Sequence, residues 1–309
     1  MSNILFIGGA GFIGSSIINH LSQYNMRIFI LDPHASEKNN KFGRNIQLLK
    51  GSLSEIDLIK DIIISNNISK IIHLASCMIP SSDFNAYISE YENIILPTIR
   101  LIKLCSDYKI QFIYFSSGGT VYGENPSLTL IEEISVKAPI SYYGLSKDMI
   151  ESFILFENRA NRLKYLILRP SNPYGPGQNI HGQQGLIAVT IGKLLENQEI
   201  TIWGDGSSIR DYIYIDDLAI IVTQLIVTDV SNLTINIGSG KGYTVNQILS
   251  IIREIIPIKM DVKYLPDRKN DVSNVLLDTS LLNNLVRIKF TSLEEGILRF
   301  YNYELENHE

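Results

Sequence analysis

Tyr143 and Lys147 stand one helical turn apart in the segment Pro139-Ile140-Ser141-Tyr142-Tyr143-Gly144-Leu145-Ser146-Lys147, so both point to one face. Such a pair can move a proton. A phenol with an ordinary pKa near ~10 is a poor base at neutral pH. A neighbouring ammonium favours the phenolate and makes Tyr143 usable as an acid or a base. Tyr142 has Ser146 four residues on and lacks the cation.

A second group of residues would bind rather than react. An apolar run at residues 4–7 leads into Gly8-Gly9-Ala10-Gly11-Phe12-Ile13-Gly14. In this G-x-x-G-x-x-G spacing Gly8 takes the tight turn, Gly11 lets the backbone approach a pyrophosphate, and Gly14 lets the helix pack closely. The N–H groups opening that helix then face the phosphates. A second strand ends at Asp32, eighteen residues past Gly14, where a carboxylate can hydrogen-bond ribose hydroxyls. No arginine follows Asp32 immediately to neutralise a 2′-phosphate, so the loop reads as a site for NAD rather than NADP.

The elements that must hold these residues alternate two hydrophobic periods. Short β-branched runs at 4–7, 27–31, 46–49, 70–73, 111–115 and 165–168 predict strands. Helical spacing at 12–24, 58–65, 94–107 and 146–161 predicts helices between them. Apolar strands separated by helices imply a doubly wound parallel sheet of α/β class, covered on both faces, with its ligand crevice at the carboxyl ends of the strands. After Pro170 the rhythm breaks into a proline- and glycine-rich stretch and then shorter elements: helices at 186–197, 245–255 and 293–303, strands at 199–203 and 261–265. The expected division is a cofactor domain at 1–170, with a return segment near 210–240, and a smaller α/β substrate lobe over most of 171–309.

Composition narrows the classes. With 309 residues, 45% hydrophobic and 19% charged, the chain has material for a real core and is not a disordered one. A net charge of −5 gives no support to nucleic-acid or polybasic membrane binding. Cys77 and Cys105 are too few for a disulfide framework and too isolated for a metal site. The apolar N-terminal run lacks the basic region of a signal peptide, and no apolar stretch reaches the ~18 residues of a membrane helix. A soluble, cytoplasmic protein is expected.

The glycine loop, the segment Phe115-Ser116-Ser117-Gly118-Gly119-Thr120-Val121-Tyr122-Gly123 and the tyrosine–lysine pair occur in one order. In this the chain resembles the extended short-chain dehydrogenase/reductases, and among them the nucleotide-sugar 4-epimerase group. Leu168-Arg169-Pro170-Ser171-Asn172-Pro173-Tyr174-Gly175, Gly204-Asp205-Gly206, Arg210-Asp211-Tyr212 and Asp216-Asp217-Leu218 extend the resemblance over nearly the whole length. It implies a Rossmann fold, bound NAD, a nucleotide-sugar substrate, a homodimer, and C4 epimerisation of a UDP-linked hexose or N-acetylhexosamine. The alternatives are a 4-ketoreductase, a decarboxylase, a 4,6-dehydratase or a non-catalytic dinucleotide-binding regulator. The dehydratase pattern has Asp-Glu where this chain has Gly119-Thr120.

By the same resemblance Tyr143 is the acid/base, Lys147 orients the nicotinamide ribose and lowers the tyrosine pKa, and the positive nicotinamide ring favours the phenolate with it. The family's bridging Ser or Thr falls on Gly118, which leaves Ser117 and Thr120 as substitutes. The cofactor would be held by Gly8, Gly11, Phe12, Ile13, Gly14 and Asp32, by Ser52 and Leu53, by Leu74, Ala75 and Ser76, and by Tyr143, Lys147 and Pro170. An asparagine expected near the cofactor falls on Ile94, with Asn93 one residue off. His73 reads as a structural histidine. Asn172, Arg210 and Arg268 would meet the substrate, and Val275 would govern room for a 2-acetamido group.

Overall fold

The computed structural model describes residues 2–33, 35, 43, 45–125, 129–266, 272 and 274–307. Seven strands build a parallel sheet: β1 (Ser2–Ile7), β2 (Met26–Asp32), β3 (Ile46–Lys50), β4 (Ile68–His73), β5 (Gln111–Phe115), β6 (Tyr165–Pro170) and, from late in the chain, a strand at Leu233–Ile237. Their order across the sheet is β3-β2-β1-β4-β5-β6 and then Leu233–Ile237. The order reverses between β1 and β4, which opens a crevice beyond the ends of those strands.

Alternate residues of each strand feed two apolar layers. In β1, Ile4 and Phe6 pack on one face, Leu5 and Ile7 on the other. The first face is covered by α1 (Phe12–Leu21), through Ile17, Ile18 and Leu21. The second is covered by α2 (Ile56–Ser65), which brings Ile59, Ile62 and Ile63. Between β4 and β5 lie α3 (Phe84–Glu90), a π turn at Tyr91–Ile95 and α4 (Leu96–Asp107). Periodicity predicts one helix over 94–107. The break comes from Pro97 at the start of α4: it has no N–H to give to the carbonyl four residues back, and the wider π turn just before it absorbs the mismatch. The helix α5 (Tyr142–Asn161) begins four residues before the predicted 146, because Ser141 caps it by accepting from the Gly144 N–H at 3.1 Å.

Beyond β6 the chain forms β7 (Asn172–Tyr174), α6 (Leu186–Leu195), β8 (Ile200–Trp203) and β9 (Ile209–Tyr214). It then returns to the large sheet: α7 (Ile215–Val227) packs beside α1, and Leu233–Ile237, β10, pairs with β6. Thereafter come β11 (Gly242–Thr244), α8 (Val245–Ile255), β12 (Val262–Leu265), β13 (Asn274–Val275), α9 (Ser280–Leu285) and α10 (Leu293–Asn307). β7, β11 and β13 all pair with β9, and β12 pairs with β8. Among the described residues no helix is long and apolar enough to cross a membrane.

Candidate active site

The glycine loop lies at the carboxyl end of β1. Gly8 has φ +76°, and a Cβ there would stand 2.9 Å from the backbone nitrogen of Ala75. Both the turn and the close approach of the β4 loop therefore demand glycine. Leu74 donates its N–H to the Ile7 carbonyl at 2.9 Å, so the two loops are joined. Gly11 is the N-cap of α1 without a side-chain hydrogen bond, and the first turn carries no acidic residue. The leading N–H groups are thus not committed to a side-chain cap, and a Cβ at Gly11 would meet nothing closer than Gly8 O at 3.7 Å. That donor set fits a pyrophosphate.

Around this loop the predicted cofactor residues divide. Phe12 and Ile13 are half-buried against the core, and Gly14 is buried inside α1. Asp32 closes β2 opposite Lys50. Ser52 sits in a turn in which its N–H bonds Glu55 at 2.6 Å and its hydroxyl pairs with Ser54. The Leu53 side chain is buried in the core layer below, so its expected contact can come only from backbone. Ser76 gives its hydroxyl to Glu90 at 2.9 Å. Pro170 ends β6 and accepts from the Gly118 N–H at 2.9 Å.

Tyr143 and Lys147 face the ends of β4 and β5. Lys147 is 4% exposed and donates to the Phe115 carbonyl at 3.1 Å. Its Nζ lies 5.2 Å from the ring centre of Tyr114 and 5.4 Å from that of Tyr143. Burial pushes the Tyr143 phenol up to about 12, and the charge of Glu90 adds to the rise. Burial pushes Lys147 down to about 8, against the opposing charges of Glu90 and Glu151. Within the chain's own residues desolvation therefore outweighs the ammonium, and the phenolate needs the second positive charge expected beside Lys147, that of the nicotinamide ring. His73 is buried and held near pKa 3 by desolvation and by the charge of Lys147. Its Nε2 pairs with the Thr98 hydroxyl at 2.8 Å, which leaves it a structural group.

The segment 117–120 seats on the first turn of α5. A Cβ at Gly144, next to Tyr143, would stand 2.7 Å from the Thr120 carbonyl. Gly118 is enforced from the other side: a Cβ there would meet Leu277 Cδ1 at 2.6 Å and the Arg169 carbonyl at 2.9 Å. Ser117 is half-buried. The Thr120 hydroxyl is buried with no hydrogen-bond partner among the described residues.

At the substrate end Asn172 commits its amide to the Asp211 carbonyl at 2.8 Å. Arg210 lies on β9 and donates to the Ile209 and Val272 carbonyls. Val275 is 1% exposed, packed among Val121, Tyr122, Ile131 and Leu277. It offers almost no surface to a ligand, so the expected control of a 2-acetamido group could act only through that cluster. Arg268 lies outside the described residues.

The sequence pattern of the NAD dependent epimerase/dehydratase family matches residues 4–238, and that span holds the glycine loop, the 117–120 segment and the tyrosine–lysine pair. The chain belongs to this family. It is an extended short-chain dehydrogenase/reductase with the Rossmann fold, and the family's cofactor is NAD. Similarity extends over the full length. A Methanocaldococcus jannaschii protein, provisionally named UDP-glucose 4-epimerase, is 33% identical over 306 residues, 99% of either chain. The dTDP-4-dehydro-6-deoxyglucose reductase of Escherichia coli is 31% identical, covering 90% of this chain and 89% of its own. The UDP-glucose 4-epimerase of Thermotoga maritima, solved with UDP-glucose, superimposes with a TM-score of 0.92 at 31% identity, over 99% of this chain and 100% of that one.

Sequence reasoning missed three groups in this family member. Arg169 forms a two-pronged pair with Glu151, at 2.9 and 2.6 Å, and also donates to the Tyr122 hydroxyl at 2.7 Å. The Tyr122 hydroxyl in turn donates to Asn236 Oδ1 at 2.6 Å, so the network ties α5, β6 and β10 behind the site. Asp211 receives the Ser239 N–H and hydroxyl and the Gly240 N–H. Burial nevertheless pushes it up to about 6. Glu90 is the third. The Leu-Arg-Pro and Arg-Asp-Tyr motifs marked Arg169 and Asp211 as part of a pattern without showing their partners; nothing local marked Glu90.

Proposed function

We propose that the chain epimerises a nucleotide-linked hexose at C4, with UDP-glucose and UDP-galactose or their N-acetyl forms as substrates. The observation that carries this reading is the buried Lys147 beside the Tyr143 ring, on a helix whose first turn packs at Gly144 against the 117–120 segment and its two hydroxyls. Tyr143 takes the C4 hydroxyl proton as the carbon is oxidised and returns it when the carbon is reduced. A hydroxyl of Ser117 or Thr120 bridges the sugar oxygen to that phenol in place of the residue missing at Gly118. Lys147 orients the ribose next to them and keeps the local charge positive. Bound NAD supplies the acceptor and donor of hydride at C4. The chain's share is positioning and proton management.

Asn172, Arg210 and Arg268 would receive the diphosphate, since guanidinium groups match its oxygens. Residues 1–170 with the returning α7 and β10 would form the cofactor half, and most of the remainder the substrate half. A homodimer would pack through the helical face where Phe84, Ile88, Tyr91, Leu96, Tyr142 and Leu145 are exposed.

The test is incubation of the purified protein with each UDP-hexose, with products resolved by chromatography and NMR. Interconversion at C4 without added cofactor supports the proposal; release of water or carbon dioxide contradicts it. The 31% identity to a sugar-nucleotide reductase favours ketoreduction as the second reading. That activity would consume reduced cofactor with every turnover.

A further inference from the structure

Glu90 is a deeply buried carboxylate that the mechanism above does not use. It ends α3, directly before the π turn, and is 1% exposed. The cofactor-facing asparagine expected in this region is absent: Ile94 is buried in the core, and Asn93 is exposed with its amide on the Ser89 carbonyl at 2.9 Å. Between residues 84 and 98 the buried polar side chains are Glu90 and Thr98, and Thr98 is paired with His73.

Both Glu90 oxygens are used. Oε1 accepts from the Ser76 hydroxyl at 2.9 Å and Oε2 from the Cys77 N–H at 2.8 Å. These bonds hold the loop after β4, the same loop whose Ala75 lies against Gly8. Yet no cation among the described residues stands within ion-pair distance of Glu90, in contrast to Glu151. Burying a carboxylate without a contacting counter-charge is costly, because two hydrogen bonds replace only part of its hydration. α3 and the π turn pack against α5, the helix that carries Tyr143 and Lys147, and the charge of Glu90 favours the protonated state of both, as it does for Tyr114 and Cys77.

We infer that Glu90 is a charge-setting residue of the cofactor pocket, whose missing counter-charge is the positively charged nicotinamide ring of oxidised NAD. The inference rests on the proposed site, since it needs the ring beside Tyr143 and Lys147. A buried negative charge there stabilises the cationic oxidised cofactor over the neutral reduced one. It thereby keeps the resting enzyme loaded with the form that can accept hydride, and it makes the reduced form readier to give hydride back.

The experiment compares equilibrium affinities of the full-length protein for NAD and for NADH, in wild type, Glu90→Gln and Glu90→Asp. Glu90→Gln keeps the shape and removes the charge, so the affinity ratio should move about tenfold toward NADH. Glu90→Asp keeps the charge and should hold the ratio near the wild-type value even if both affinities fall. A purely structural role would weaken both forms equally in Glu90→Gln, and an unchanged ratio would overturn the inference while leaving the proposed site intact. Failure of the wild type to bind either form would overturn both.

Discussion

Two charged groups lie one turn apart on α5 at nearly the same depth, and they are treated in opposite ways. Glu151 is fully buried and saturated, with Arg169 on both oxygens and Lys137 at 3.0 Å. Lys147 is almost as buried, yet its ammonium has a single carbonyl, two aromatic faces and carboxylates that act only at a distance. On the same side of the sheet the Tyr114 and Thr120 hydroxyls are buried with no hydrogen-bond partner among the described residues. The saturated pair fixes the backbone behind the site. The under-partnered one keeps a proton affinity near neutrality, where a ligand can shift it. Stability and chemistry are thus assigned to successive turns of one helix.

The contrast breaks first at the tyrosine. Tyr143→Phe should lower turnover by about 10²–10⁴-fold, with NAD affinity and melting temperature near wild type. Turnover close to wild type would remove Tyr143 from the mechanism. At the saturated end, Arg169→Met leaves Glu151 buried without its fork and should cost about 3–5 kcal/mol in denaturant unfolding.

The two groups should also carry opposite pH signatures. Burial works against the Glu151 carboxylate, but the Arg169 bonds and charge, with Lys137, hold it below its ordinary 4.5. Its stabilisation is therefore present above that value and is lost as pH falls through the lower folded one. For Lys147 the folded value of about 8 lies below the ordinary 10.5, so the unfolded chain binds the extra proton and stability gains as pH rises between them. The gain should reach up to about 3 kcal/mol relative to Lys147→Met, read from unfolding free energies measured across that window.

Gly118→Ser would restore the hydroxyl usual in the family, but here it should cost about 1–3 kcal/mol, because the new Cβ meets Leu277 and the Arg169 carbonyl. In a Leu277→Ala background, itself destabilised by about 2–5 kcal/mol, Gly118→Ser should cost less than it does in the wild type. Lys147→Met removes a buried ammonium, so stability at pH 7 should be unchanged or rise by up to about 3 kcal/mol while turnover collapses. A loss as large as that of Arg169→Met would erase the distinction between the two turns.

Much of the cofactor half was legible from local pattern. Short continuous apolar runs marked the strands of the sheet, and the glycine spacing placed the turn at Gly8 that the φ of +76° requires. What stayed hidden depends on partners distant in sequence. Glu151 meets Arg169 eighteen residues on, and Tyr122 meets Asn236 at a separation of 114. Glu90 sits in a polar stretch that reads as a solvated helix end, and only Pro97 and the π turn it provokes hint at the changed register. Val275 could be aligned by spacing, but its burial against Val121 and Tyr122 is a tertiary fact. Arg210 reads as a phosphate ligand and is found bonded to carbonyls.

The central claim is that C4 is oxidised and reduced again inside one active site, with the proton handled at Tyr143. It is tested most directly with UDP-glucose carrying deuterium at C4, supplied to the purified protein with no cofactor added. The account predicts UDP-galactose with the deuterium still on C4. Label lost to solvent or to an external cofactor pool, or a product changed at any other carbon, would contradict it.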